Sequence, residues 1–126
     1  FNLSHMGNKV EKFEDLNVWQ NAIDLCVTIN ISFKECKDFS FRDQIYRASV
    51  SVPSNIAEGF ERQYNKEFIH FLFIAKGSIA EVRTQLIIAS KLNYLKNDEY
   101  LDLLENSKKI SAQLFQLIKT RKEKFN

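Results

Sequence analysis

The feature that most constrains this chain is a segment of helical periodicity, residues 44–62, that contains the only proline of the sequence. Its small and apolar residues recur at intervals of three or four positions, the spacing of one face of an α-helix, and are Ile45, Ala48, Val52, Ile56 and Gly59. A proline in a helix interior costs about 3 kcal/mol, and a glycine costs about 1 kcal/mol relative to alanine. Because Pro53 and Gly59 both lie in this run, we expect a helix whose shape depends on them.

A longer motif runs through the same segment. It reads Q-x-x-R-A-x-x-S-V-P-x-N-I-A-E-G and is met by Gln44, Arg47, Ala48, Ser51, Val52, Pro53, Asn55, Ile56, Ala57, Glu58 and Gly59. This motif resembles that of the 23S rRNA intervening-sequence proteins, to which the accessory proteins of diversity-generating retroelements are similar. The stretch from Gly77 to Leu86 resembles the second motif of the family, and the likeness covers roughly residues 13–118.

The resemblance carries several expectations. It implies a small four-helix bundle that associates into a homo-oligomer, a pentamer by family likeness. It also implies nucleic-acid binding for some members and no established catalysis.

The composition limits the class of protein to which this chain can belong. The chain has 126 residues, of which 44% are hydrophobic and 27% charged, as in a single globular domain. No apolar run reaches the roughly 18 residues of a membrane span, and the start lacks the layout of a signal peptide. We therefore expect a cytoplasmic protein with no membrane partner. Residues 1–7 are interpreted as left over from cloning, and residues 8–126 as one domain.

Hydrophobic periodicity predicts four helices and no strand, at roughly residues 15–36, 40–63, 66–95 and 98–122. Ser40 and Asn65 are the predicted N-caps of the second and third helices. Because the connections are short, neighbouring helices should be antiparallel, and the fold class is all-α, an antiparallel up-down-up-down four-helix bundle. The apolar arcs of the first and third helices are wider than one core stripe needs, which favours subunit contact.

The second and third helices should share a polar seam. If the hairpin turns at residues 64 and 65, facing residues have numbers that sum to about 129. This rule brings Ser51 opposite Ser78. We interpret the seam as partly buried ion pairs that fix helix register, with a binding groove as the alternative. Its residues are Arg47, Ser51, Asn55, Glu58, Arg62, Ser78 and Glu81.

Two further roles are expected in this hairpin. Gly77 should lie opposite Pro53 and allow the two helix backbones to approach closely, so that Gly77→Leu should be strongly destabilising. Pro53 has no amide hydrogen and leaves the carbonyl of Ser49 without its usual donor. We expect Asn55 to cap a free carbonyl at this point.

Few residues suggest catalysis. Cys26 and Cys36 lie ten positions apart in the predicted first helix, about 15 Å, so they should be free, buried thiols and not a disulfide. Glu67 and His70 have the E-x-x-H spacing of di-iron bundles, which require that motif from two helices, and His70 is the only histidine outside residues 1–7. No nucleophile elbow or phosphate-binding glycine loop is present. We predict no enzyme, no metal and no cofactor.

Basic residues cluster in the second half of the fourth helix and in the tail after it, and are Lys108, Lys109, Lys119, Arg121, Lys122 and Lys124. They could simply complement the helix dipole, or they could form a phosphate-binding patch that a symmetric oligomer repeats. The net charge of +2 does not decide between these. The favoured function is a non-enzymatic homo-oligomer that binds structured RNA or DNA without reading sequence. The alternative is a protein–protein interaction scaffold.

Overall fold

The computed structural model describes residues 10–124, and four α-helices account for most of that range. A 3₁₀ turn at Phe13–Asp15 precedes α1 (Asn17–Ser32), α2 (Phe39–Phe60), α3 (Asn65–Lys91) and α4 (Asn97–Lys124). Each helix packs against the next one, and α4 packs back against α1, so the predicted antiparallel four-helix bundle is confirmed. The described range contains no strand. Residues 1–7, the predicted cloning remainder, lie outside it.

The N-caps differ from the predicted ones. Asp38, and not Ser40, caps α2, because its Oδ1 atom accepts a hydrogen bond of 3.1 Å from the amide of Phe41. Helix α3 begins at Asn65 itself, with Tyr64 in the extended cap position. The Asn65 side chain forms hydrogen bonds with Arg121 of α4.

Helices α1, α2 and α3 end three or four residues earlier than predicted. Phe33 follows α1 with a φ of −98° and a fully buried side chain, so Cys36 lies in the connection to α2 and not in the helix. Both cysteines are nevertheless free, Cys26 buried and Cys36 half-buried. Helix α3 stops at Lys91, because Asn93 adopts a left-handed φ of 60°, a conformation that asparagine tolerates well.

The core runs the length of the bundle and receives side chains from all four helices. The large aliphatic side chains of the predicted α2 stripe, Ile45, Val52 and Ile56, are fully buried. The largest buried side chains are Phe33, Ile29, Ile45, Ile56, Leu72, Ile79, Leu86, Leu103, Ile110, Leu114, Val52 and Val82.

Helix α2 continues through Pro53 without a break. The carbonyl of Ser49, which loses its amide partner to the proline, accepts a hydrogen bond of 3.0 Å from the Cys26 thiol of α1. Burial raises the pKa of Cys26, so the thiol keeps the proton that it donates. Asn55 does not serve this carbonyl, and its Nδ2 atom donates to the carbonyl of Ser51 at 2.8 Å instead. The prediction that Asn55 caps the carbonyl left free by Pro53 is therefore wrong.

The close contact between α2 and α3 depends on Gly59 and not on Gly77. A Cβ atom at position 59 would lie 2.6 Å from Cβ of Phe71 and 3.2 Å from the carbonyl oxygen of Phe68. A Cβ atom at position 77 would meet nothing within 4 Å, and Gly77 is exposed. The prediction for Gly77 is wrong because the facing side of α3 passes through Ser78, one residue further along.

One hydrogen bond joins the two connections at the end of the bundle where α2 begins. The hydroxyl of Tyr94 donates to Oδ2 of Asp38 at 2.7 Å. This bond, followed by the bond from the amide of Phe41, lowers the pKa of Asp38, and the same bond to Asp38 raises the pKa of Tyr94. Asp38 thus caps α2 and holds the connection between α3 and α4 while it is ionised.

Acid should weaken this link. A carboxyl group whose pKa is lowered by folding stabilises the protein above its unfolded pKa, and that stabilisation is lost as the pH falls through the folded pKa. We expect the urea midpoint of the wild type to exceed that of Tyr94→Phe at pH 6, with the difference closing below about pH 4. Tyr64→Phe, at an exposed tyrosine, is the control. A difference that stays constant from pH 6 to about pH 2 would contradict this expectation.

Candidate functional site

Three of the six predicted basic residues lie on the side of α4 that contacts α3. Ser111 marks this side, because its Oγ atom accepts a hydrogen bond of 3.1 Å from Lys76 of α3. Lys108 precedes Ser111 by three positions and Lys122 follows it by eleven, about three helical turns. Lys119 lies between them, towards solvent. All three lysines are exposed.

Helix α3 adds two lysines and an aromatic ring to this surface. Lys76 is half-buried, and its ammonium group lies 6.0 Å from the ring centroid of Phe115 on α4. Lys122 lies 5.0 Å from the ring centroid of Phe73 on α3. Lys66 precedes Phe73 by two helical turns and is exposed. We call this surface the lysine–phenylalanine face, and it comprises Lys66, Phe73, Lys76, Lys108, Phe115, Lys119 and Lys122.

Arg121 has a different place from the one predicted. Its guanidinium is half-buried, donates from Nε to Oδ1 of Asn65 at 2.7 Å and lies 5.0 Å from the ring of Phe68. The Asn65 Nδ2 atom in turn donates to the carbonyl of Arg121 at 3.1 Å. Burial lowers the pKa of Arg121, although an arginine stays charged at neutral pH. Arg121 therefore anchors the end of α4 to the start of α3.

Lys109 and Lys124 lie on the opposite side of α4. Gln113 marks that side, because its Oε1 atom accepts a hydrogen bond of 3.0 Å from Asn21 of α1. Lys109 lies four positions before Gln113, and Lys124 lies eleven positions after it, so helical spacing puts all three on the side towards α1. The predicted basic cluster is therefore divided between two faces and one anchoring residue.

The charge of the lysine–phenylalanine face is not neutralised within the described residues. The ion pairs within 4.0 Å in residues 10–124 join Arg42 to Asp43, and Arg62 to Glu58 and Glu67. None of them includes a lysine. Most carboxylates of α4 lie in its first turns, before the lysines, an order that also suits the helix dipole, whereas Glu123 lies in the last turn next to Lys122.

The predicted polar seam is present in part between α2 and α3. The hydroxyl oxygens of Ser51 and Ser78 lie 2.7 Å apart, and Asn55 also donates to the hydroxyl of Ser51 at 3.1 Å. Glu58 of α2 pairs at 2.8 Å with Arg62, which follows the end of that helix. These charged residues, together with Arg47 and Glu81, are exposed and not partly buried.

Other parts of the seam differ from the interpretation. Arg47 and Glu81 form no ion pair within 4.0 Å in the described part of the chain. Gln85, also on α3, has 7% of its surface exposed, and its Oε1 atom has no hydrogen-bond partner among the described residues. The seam thus holds hydroxyl and amide contacts at its centre and solvated charges towards its ends.

Reactive groups do not converge in the described residues. His70 is exposed, and Glu67, its partner in the E-x-x-H pattern, lies 3.9 Å from Arg62. No group of three or more His, Cys, Asp or Glu residues in the range 10–124 could hold a metal ion.

A shallow groove of about 270 Å³ lies between the end of α1 and the start of α2, with Ile29 and Phe33 in its lining. Its arginine, Arg42, is already engaged by the carbonyl of Lys34 at 3.3 Å and the ring of Phe39 at 4.8 Å. The guanidinium group of Arg42 is therefore already bound by other residues of the chain.

Sequence reasoning missed four residues of the lysine–phenylalanine face: Lys66, Phe73, Lys76 and Phe115. The signal that could have found them was available. Phe115 lies four positions before Lys119, on the same side of α4, and Phe73 lies three positions before Lys76. Only the pairing of α3 with α4 shows that the two sets form one surface.

Apolar side chains are also exposed on other faces. Val27 and Ile31 on α1 have 54% and 65% of their surface exposed, and Ile74 and Ile88 on α3 have 39% and 42%. No helix in the described part of the chain is both long enough and apolar enough to span a membrane.

These features define a small antiparallel four-helix bundle that carries exposed aromatic rings along one helix pair, together with lysines that form no ion pair in residues 10–124. Residues 14–116 match the family model of the 23S rRNA-intervening sequence protein, and the chain belongs to this family. It is similar to a crystal structure from Bacteroides thetaiotaomicron, a protein of unknown function from the S23 ribosomal protein family. The two share 28% sequence identity with a TM-score of 0.78, over 82% of this chain and 99% of the other. No curated protein matches the sequence.

Proposed function

We propose that this protein is a non-enzymatic, homo-oligomeric helical bundle that binds structured RNA or DNA through the lysine–phenylalanine face. The observation that carries this proposal is the convergence of five lysines from α3 and α4 without an ion pair in residues 10–124. Exposed ammonium groups release counterions when they neutralise phosphates, and this is the main source of affinity without sequence preference.

The kind of cation favours contact with the nucleic-acid backbone. Lysine is a flexible point charge, whereas sequence readout relies on the planar forks of arginine and on paired amide contacts. Arg121, the arginine nearest to the face, is held by Asn65 and Phe68. We therefore assign phosphate contacts to Lys108, Lys119 and Lys122, with Lys66 and Lys76 beside them, and a peripheral role to Lys109 and Lys124.

Self-association is part of the proposal. Val27 and Ile31 of α1 leave apolar surface in contact with water in a lone subunit. The resemblance to the family suggests five subunits. A ring would repeat the lysine–phenylalanine face around its axis, so that a chain with a net charge of only +2 gathers enough positive charge to bind a polyanion.

Charge reversal tests the proposal. The double variant Lys119→Glu/Lys122→Glu should weaken binding of a structured RNA hairpin by about tenfold or more at about 50 mM salt, because two favourable phosphate contacts become repulsive. Wild-type affinity should fall steeply between about 50 and 200 mM salt. Fluorescence anisotropy of a labelled hairpin measures both.

The matched control is Lys109→Glu/Lys124→Glu, which makes the same change of charge on the α1 side of the same helix. We expect a much smaller loss of affinity from this variant. Equal losses from the two double variants would show that net charge alone drives binding. Wild-type protein that fails to bind at low salt would refute the nucleic-acid proposal altogether.

A second candidate is a protein–protein interaction scaffold. The exposed apolar residues of α1 and α3 favour it, because a partner protein could cover them as well as a second copy could. The same titration discriminates the two candidates, since a scaffold would show no salt-dependent affinity for the hairpin.

A further inference from the structure

We infer that the lysine–phenylalanine face takes unpaired nucleotides, whose bases stack on Phe73 and Phe115 while the lysines neutralise the phosphates. The inference rests on the proposed function and names the part of a structured nucleic acid that this face would bind. It would favour loops, bulges and single strands over continuous duplex.

The two phenylalanines are unusual for a solvated surface. Phe115 has 59% of its surface exposed and Phe73 has 46%, although both lie beside well-packed helices. Each has a lysine ammonium group from the neighbouring helix near its ring, at 6.0 Å for Phe115 and 5.0 Å for Phe73. A cation at this distance is attracted by the ring, so each lysine helps to hold its phenylalanine in place.

The lysines make an apolar protein partner a poor fit. A protein that covered Phe73 and Phe115 would also remove the surrounding ammonium groups from water, and lysine is depleted in the cores of protein interfaces. A suitable partner must supply negative charge and flat apolar surface at the same place. Unpaired nucleotides supply both, since each carries a phosphate and a base with a π-face.

A continuous duplex supplies the negative charge but not the flat apolar surface. Its bases are stacked on each other and show only their edges in the grooves, so the rings of the protein would meet the sugar–phosphate backbone. In a single strand each base is free to stack on an aromatic ring, an interaction of about 1–3 kcal/mol per base that tolerates any sequence. The two rings lie on adjacent helices, and each has a lysine of the other helix near it, so that both rings belong to one surface.

Substitution of the rings tests the inference on the full chain. The probes are a labelled oligouridine of about 12 nucleotides and an RNA duplex of similar length, measured by anisotropy at the same low salt. We expect Phe73→Ala/Phe115→Ala to weaken oligouridine binding by about fivefold or more and to leave duplex binding nearly unchanged. Phe115→Trp should show fluorescence quenching with oligouridine and none with the duplex.

The matched control is Phe39→Ala. Phe39 has 60% of its surface exposed and a guanidinium group, that of Arg42, 4.8 Å from its ring, but it lies at the start of α2. Phe39→Ala should leave the affinities for oligouridine and for the duplex unchanged. If Phe73→Ala/Phe115→Ala binds both probes as the wild type does, or loses affinity for both equally, the stacking inference is wrong while the proposed function stands. If wild-type protein binds neither probe at low salt, the proposed function and the stacking inference both fail.

Discussion

Gly59→Leu is expected to lower the free energy of unfolding by about 3 kcal/mol or more, whereas Gly77→Leu should change it by less than about 1 kcal/mol. Both glycines lie inside helices, and both sites gain helix propensity when glycine is replaced. The opposite outcomes arise from packing. At position 59 even a Cβ atom would lie 2.6 Å from Cβ of Phe71, and that atom is fixed to the backbone of α3. At position 77 an added Cβ atom would meet nothing within 4 Å, and the site is exposed.

Urea denaturation of the two variants at equal protein concentration measures this difference. If Gly59→Leu does not fold, Gly59→Ala provides the smaller step, and we expect it to be destabilising by about 1–3 kcal/mol. A Gly59→Ala variant as stable as the wild type would show that α2 and α3 separate at little cost. A large loss in Gly77→Leu would show that this surface is covered in solution by another copy of the chain.

Cys26→Ala is expected to lower the free energy of unfolding by about 2–3 kcal/mol. The variant removes a buried side chain and also leaves the carbonyl of Ser49, a fully buried residue, without a donor. An unpaired buried acceptor costs about 1–3 kcal/mol. Cys26→Ser should recover part of the loss, because a hydroxyl group can make the same hydrogen bond.

A double-mutant cycle separates the hydrogen bond from simple packing. In the Pro53→Ala background, residue 53 regains the amide hydrogen that normally bonds to the carbonyl of residue 49. Cys26→Ala should then cost less than in the wild type, by about 1 kcal/mol. If the cost is the same in both backgrounds, the thiol acts only by filling space, and the link between Pro53 and Cys26 has to be given up.

Most of the fold could be predicted from the sequence. Four amphipathic segments with short connections have few arrangements available, and the stripes of Ile45, Val52 and Ile56 in α2 point to the core as periodicity predicts. The tolerance of Pro53 within α2 could also be predicted, and the missing donor at Ser49 followed from backbone chemistry alone. The predicted ends of the helices were less accurate, because Phe33 ends α1 through its packing and Asn93 ends α3 through its backbone conformation.

The candidate site was predicted only in outline. Sequence proximity grouped Arg121 with Lys119 and Lys122, but the fold turns Arg121 inward to Asn65, a residue 56 positions away. It also brings Lys76 to Phe115 from another helix. Tertiary packing also decided which glycine allows the close helix contact. The sequence indicated Gly77, and the structure has Gly59 in this role.

The sequence by itself determined the number of helices, their inward faces and the carbonyl that Pro53 deprives of its donor, because these depend on residues close together in the chain. Only the tertiary structure decided that Cys26 supplies that donor, that Gly59 faces Phe71, and that lysines of α3 and α4 share one surface. Periodicity fixes the direction of a side chain relative to its own helix axis. The rotation and axial shift of one helix against another depend on the packing of the whole core, and those two quantities determine which side chains meet.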